Sequence, residues 1–210
     1  MNLDTLRDRC FDFFDRQPDA DAAHDRSHIQ RVLKNALQLS EKEGTDNRII
    51  VPAACLHDCV AVAKDSPQRH QGSRLAAAAA VEFLATIAYP ADLLPQVRHA
   101  IEAHSFSAGI AVRTPEAAVV QDADRLDSLG AIGIARCLLV GGRLDRPLLD
   151  PDDPFCDERT PDDSRYTLDH FYTKLLGLPE TMQTSAGREE ARRRADRMRR
   201  YLDELRTEVL

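Results

Sequence analysis

Apolar residues recur at steps of three and four along almost the whole chain, and no segment alternates as a half-buried strand would. Leu3, Leu6, Cys10 and Phe13 mark a first amphipathic helix. Ile29, Val32, Leu33, Ala36 and Leu39 mark a second, entered through Ser27 and Gln30 as a capping box. Residues 49–62 are apolar on nearly all sides and too long a run for an ordinary strand, which predicts a buried helix. Ser66-Pro67 supplies an N-cap and first-turn pair for an Ala-rich helix ending near Ala88, before Pro90. Further helices are expected over 92–104, from Thr114-Pro115 to about Asp127, and over 131–140, 166–178 and 188–209. Between them, Pro, Asp and Gly without any period predict a long loop near residues 142–163. A loop of that length is usually disordered or functional, and here it is expected to cover the active site. The expected fold is all-α, one helical-bundle domain over 1–210. Its core motifs fall at roughly 20–130, with C-terminal helices at 165–210 packing on them.

Charge and composition exclude several classes. Lys plus Arg number 28 against 35 Asp plus Glu, a formal charge of −7, so a general polyanion or anionic-membrane binder is not expected. The 43% of hydrophobic residues is too many for a disordered chain. The first turn is charged, without the apolar segment of a signal peptide, and no run approaches a membrane span. Five cysteines form no Cys-x-x-Cys pair and are read as reduced thiols, which places the protein in the cytoplasm. The basic run REEARRRADRMRR invites a nucleic-acid reading. However, Ala191, Ala195, Met198, Leu202, Leu205 and Val209 form an apolar stripe, and Glu189–Arg193 and Glu190–Arg194 are i,i+4 pairs. A solvated, self-paired face explains the run, and the stripe is also where a homodimer contact would form.

The residues that carry chemistry begin with His57-Asp58 in AACLHDCV. A polar pair in an apolar helix must be satisfied, by hydrogen bonds or by a metal for which imidazole and carboxylate are both ligands. Alone the dipeptide says little, since His24-Asp25 repeats it. Its context adds His28 in HDRSHIQRV and Asp124 in VVQDADRLDSLGAIGIAR, each on a different expected helix.

The order His28, His57-Asp58, Asp124 resembles the H…HD…D signature of the HD-domain metal-dependent phosphohydrolase superfamily. AHDRSHIQRV, LHDCVAVAKDSPQRHQGS, AHSFSAG, DADRLDSLGAIGIAR and LDHFYTKLLGL resemble its bacterial branch of YpgQ-like and YedJ-like proteins. The resemblance implies one divalent ion held by His28, His57, Asp58 and Asp124. Mn²⁺ is the first choice, with Mg²⁺, Fe²⁺, Co²⁺, Ni²⁺ and Zn²⁺ compatible with the ligand types. It further implies hydrolysis of a nucleoside or deoxynucleoside triphosphate to monophosphate and pyrophosphate by an activated water. The alternatives are a phosphomonoesterase, a cyclic-nucleotide phosphodiesterase or a non-catalytic nucleotide-sensing module.

Two departures narrow the branch. Relatives that hydrolyse (p)ppGpp carry a Glu-Asp pair soon after the His-Asp, whereas Cys59, Val60, Ala61 and Val62 follow here, and the His-His and GYP elements of cyclic-di-GMP phosphodiesterases are absent. Asp58, Lys64 and Asp127 are the candidate catalytic residues. Lys64, His70, Arg74, His104, Arg125, His170 and Lys174 are candidate substrate contacts, because a phosphate substrate needs positive charge beside the metal. His170 and Lys174 would share a helix face at i,i+4. His99 is read as structural or surface, and Asp122 as a solvated or capping carboxylate.

Overall fold

The computed structural model describes residues 1–17, 26–60, 71–105 and 108–210. Among them every regular element is helical, as the periodicity requires. The α-helices are α1 (Leu3–Phe14), α2 (Arg26–Glu43), α3 (Asn47–Leu56), α4 (Gly72–Thr86), α5 (Leu94–His104), α6 (Pro115–Leu126), α7 (Gly130–Arg143), α8 (Asp169–Thr173) and α9 (Ser185–Val209). A 3-10 helix, Leu175–Thr181, follows α8. All five cysteines are free thiols. None of the described helices is long and apolar enough to cross a membrane. The chain forms two compact units, Met1–Asp124 with Gln183–Ala186, and Arg125–Met182 with Gly187–Leu210.

In the first unit α3 is the hub. Every residue from Ile49 to Leu56 is buried, and the helix packs on α1, α2, α4 and α5. An all-round apolar helix can sit only there. Helix α2 turns Ile29, Val32, Leu33, Ala36 and Leu39 inward, as its spacing predicts, and Phe13 of α1 stacks on Phe83 of α4 at 4.2 Å. Side-chain caps set the starts: the Asn2 carboxamide oxygen accepts from the Thr5 N–H, Asp46 from Arg48, and Thr114 from Ala117, with Pro115 leading α6. Such caps are worth about 1 kcal/mol each.

Three boundaries differ from expectation. Helix α2 already begins at Arg26, so Ser27 lies exposed inside its first turn, accepting from Arg31 at 2.9 Å rather than closing a capping box. Helix α3 stops at Leu56, leaving His57 and Asp58 in the following turn rather than inside a helix reaching 62. The cause is local: the His57 ring donates to the Ala54 carbonyl at 2.9 Å, the acceptor a continuing helix would offer the Asp58 N–H. The proposed cap Ser66-Pro67 lies outside the described residues.

In the second unit α7 starts on Gly130 at φ +72°, and a Cβ there would lie 3.3 Å from the Arg194 side chain of α9. Residues 144–168 form the expected long loop, held by carboxylates. Asp153 accepts from the N–H groups of Asp157, Glu158 and Arg159, and Asp150 from those of Asp152 and Asp153. The helix expected over 166–178 is broken. Helix α8 ends at Thr173, and Lys174, at φ −139° and ψ −60°, leads into the 3-10 turn containing Gly177 and Pro179, both poor helix residues. In α9 the predicted stripe is buried at Ala191, Ala195, Met198 and Leu202, whereas Val209 is exposed. Arg194 pairs with Glu190 as expected, while Arg193 takes the same carboxylate at i,i+3 instead of Glu189.

Candidate metal centre

Three helices of the first unit end at one place. Helix α3 delivers His57 and Asp58 in the turn after its last residue, α5 ends on His104, and α6 carries Asp124 in its final turn. Helix α2 contributes His28 from its first turn. Helix C-termini present the negative end of the peptide dipoles, so two carboxylates gathered beside three such ends create a strong demand for positive charge.

His28, His57 and Asp58 offer ligand atoms that all lie within 4.8 Å of one another. His28 Nε2 is 3.9 Å from Asp58 Oδ2 and 3.5 Å from Asp124 Oδ1, and His57 Nε2 is 3.5 Å and 3.8 Å from the same two oxygens. These separations exceed the 2.7–3.2 Å of N–H···O hydrogen bonds. For His57 the reason is its tautomer. A carbonyl oxygen only accepts, so the bond to Ala54 fixes the ring proton on Nδ1 and leaves Nε2 with a lone pair. That Nε2 is fully buried, has no hydrogen-bond partner among the described residues and faces two carboxylate oxygens. A lone pair turned toward anions is satisfied by a cation between them, and the imidazole–carboxylate donor set suits a divalent ion. The residues therefore fit a metal.

Burial lowers the His57 pKa to about 4, against which Asp58 and Asp124 pull upward, so the ring is neutral at neutral pH, the form that can ligate a metal. His104 goes the other way. Burial lowers its pKa, but the hydrogen bond and charge of Asp58, with Asp124 behind them, raise it to about 9. Its Nδ1 lies 2.6 Å from the Ile101 carbonyl and its Nε2 3.4 Å from Asp58 Oδ1. The His104 and His57 rings meet edge-to-face at 4.8 Å. Thus the structure brings His104 to the outer oxygen of Asp58, beside the residues expected to bind metal.

The other expected residues are placed as follows. Lys64 and His70 lie outside the described residues. Arg74 is exposed on α4. In the second unit Arg125 donates to the Thr181 carbonyl at 2.5 Å, and Asp127, buried, is ion-paired with Arg136. His170 binds Asp163 through Nδ1 at 2.6 Å. Lys174 is exposed past the end of α8, so it shares no helix face with His170, contrary to the i,i+4 expectation. His99 accepts from the Arg113 N–H at 3.1 Å, a structural role. Asp122 is buried rather than solvated: it accepts from the N–H groups of Gln183 and Thr184 and from the Thr184 hydroxyl, capping the approach to α9.

Sequence reasoning passed over two buried amides. Asn35 donates to the Ala123 carbonyl at 3.1 Å, and Gln121 to the Ala103 carbonyl at 2.6 Å. Asn35 stands seven residues after His28, two turns along one apolar face, and that interruption was the available signal.

Comparison with known proteins agrees with this geometry. The profile of the HD domain matches residues 26–129. YpgQ of Bacillus subtilis, an uncharacterised protein, is 32% identical over 195 residues, covering 91% of this chain and 87% of that one. A crystal structure of an HD-superfamily hydrolase from Bacillus thuringiensis superposes with a TM-score of 0.76 at 34% identity, covering 99% of this chain and 98% of that one. The crystal structure of B. subtilis YpgQ in complex with ADP gives a TM-score of 0.72 at 30% identity, with 99% and 98% covered.

Proposed function

The chain belongs to the HD-domain hydrolase family, and from that premise we propose that it is a divalent-metal-dependent nucleotide phosphohydrolase with a metal held by His28, His57, Asp58 and Asp124. The observation that carries the reading is the buried lone pair of His57 Nε2 facing Asp58 and Asp124 at the ends of three helices. Mn²⁺ is the first choice among Mn²⁺, Mg²⁺, Fe²⁺, Co²⁺, Ni²⁺ and Zn²⁺. Such an ion supplies Lewis acidity toward a phosphoryl oxygen and toward water.

The chain's own residues do the rest. His57 and His28 hold their rings toward the shared centre, and the backbone bond at Ala54 keeps His57 from rotating. His104 stands 3.4 Å from Asp58 Oδ1, and its positive charge there favours turning the other oxygen, Oδ2, toward the centre. Lys64 and Asp127 complete the catalytic set with Asp58. His70, Arg74, His104, Arg125, His170 and Lys174 are the proposed contacts to phosphate and nucleoside. Asp127→Asn tests the share of Asp127: full turnover in that variant would give it a structural role, as in its ion pair with Arg136.

The substrate class is a nucleoside or deoxynucleoside triphosphate, cut between the α and β phosphates by water to give a monophosphate and pyrophosphate. A bound ADP in YpgQ supports a nucleotide ligand. A metal-by-substrate screen with product identification tests the reading, and pyrophosphate is expected. Orthophosphate released from nucleoside monophosphates, with no pyrophosphate from triphosphates, would make the protein a phosphomonoesterase, and opening of cyclic nucleotides a phosphodiesterase. Nucleotide binding without turnover in metal-loaded protein would make it a sensing module.

A further inference from the structure

The ends of α3, α5 and α6 share a second property. The last turn of a helix carries carbonyls without intrahelical partners, and here such carbonyls are used to orient the site. Ala54 takes the His57 ring, and Ile101 lies against the His104 ring. The two others named above go to amides. The Ala123 carbonyl, one residue before Asp124, accepts from Asn35 of α2; the Ala103 carbonyl, one residue before His104, accepts from Gln121 of α6. Asn35 is 5% exposed and Gln121 4%, so both polar heads are withdrawn from water. The Gln121 Oε1 atom is buried with no hydrogen-bond partner among the described residues. At Gln121 a methionine of similar length would carry no such unpaired oxygen, so packing alone does not call for the amide; its bond to the Ala103 carbonyl does.

We propose that Asn35 and Gln121 are positioning residues for the metal centre, Asn35 latching the last turn of α6 to α2 and Gln121 latching the last turn of α5 to α6. Asn35 fixes Asp124 relative to His28, which lies two turns back on the same face of α2, and Gln121 fixes His104 relative to Asp124. Both roles rest on the metal reading above, because they specify how its ligands are held apart when the ion is not there to gather them.

The test is calorimetric titration of Mn²⁺ into the chelator-stripped full chain, with the thermal midpoint of the metal-free protein measured alongside. Asn35→Leu and Gln121→Met remove the donors while keeping the branching and length of each side chain. Each is expected to weaken Mn²⁺ binding by about tenfold or more, the usual range for partners of metal ligands. Tyr89→Phe is the control. It removes a bond of the same kind, Tyr89 to the Arg48 carbonyl at 2.8 Å, at the opposite end of α3. That variant is expected to keep the wild-type Mn²⁺ affinity, and the amide variants to lower the metal-free midpoint no more than it does. If Asn35→Leu does not fold, Gln121→Met carries the same test. Wild-type affinity in the folded amide variants overturns the positioning role and leaves the metal centre standing. Absence of Mn²⁺ binding by the wild-type chain removes both.

Discussion

Asp58 and Asp169 are both aspartates set against a helical core, one in each unit, and they are held in opposite ways. Both oxygens of Asp169 are taken by the Arg159 guanidinium, at 2.5 and 2.7 Å, and one also accepts from the Asp162 N–H. The group is wholly buried and its pKa is lowered, because the Arg159 and backbone donors outweigh the burial that would raise it. Asp58, about a quarter exposed, faces His28, His57 and His104 at 3.4 to 3.9 Å. The second unit repeats the first manner at Asp127–Arg136 and at Glu190 with Arg193 and Arg194. A carboxylate saturated by a guanidinium holds a fold together. One turned toward the His57 lone pair at the end of α3 is where the proposed cation would sit.

The largest expected effect breaks that contrast at its centre. His57→Ala or Asp58→Ala is expected to abolish bound metal and to reduce turnover by on the order of a thousandfold, since the ion is worth several kcal/mol to a phosphoryl transition state. Metal analysis and single-turnover assays on the same preparation check it. Full metal-dependent turnover by Asp58→Ala would show that the centre lies elsewhere. In the second unit Arg159→Met should do the reverse. It strands the buried Asp169 carboxylate and is expected to cost about 3 kcal/mol in urea unfolding, with Mn²⁺ affinity unchanged.

A middle-sized effect separates the two imidazoles of the site by pH. His57 is held at about 4 and His104 at about 9, against an ordinary value of 6.5. As pH falls below 6.5 the unfolded chain protonates residue 57 while the folded one resists until about 4, so stability is lost on the acid side. As pH rises above 6.5 the unfolded chain releases a proton that folded His104 keeps until about 9, so stability is lost on the alkaline side. The thermal midpoint of metal-free protein should therefore fall in both directions from near-neutral pH. His57→Gln should flatten only the acid limb, and His104→Gln only the alkaline one.

Much of this was legible in the sequence. Helical periods survive because burial demands them, which is why the α2 stripe and the burial of α3 were found from spacing alone. The four candidate metal ligands were legible only through the resemblance of their order, His28, His57-Asp58 and Asp124, to the H…HD…D signature; the residue types alone left His57-Asp58 open to hydrogen bonding. What escaped was competition for backbone groups. The end of α3 depends on the His57 ring taking the Ala54 carbonyl, and the break after α8 on Gly177 and Pro179 in the turn that follows. Asn35 and Gln121 escaped because a single amide on an apolar face reads as noise until its acceptor, 88 or 18 residues away, is known.

The smallest expected effect is on the exposed face of α9, where the basic run first suggested nucleic acid. Arg193 is more than half exposed, and when it is removed Glu190 keeps Arg194. Arg193→Ala should therefore change stability by less than about 0.5 kcal/mol, because exposed pairs gain little over hydration. Arg192 pairs with Glu180 at 3.2 Å, so this face carries its own counter-charges. The double variant Arg192→Ala, Arg193→Ala is expected to leave Mn²⁺ affinity and RNA retention at moderate salt both unchanged. A steeply salt-dependent RNA affinity in the wild type, lost in the double variant, would mean that these guanidiniums exchange their carboxylates for phosphates. The rule that saturated pairs are structural would then fail on α9 while still holding for the enclosed Arg159–Asp169 pair, and exposure, not saturation, would be what separates the two kinds of charge.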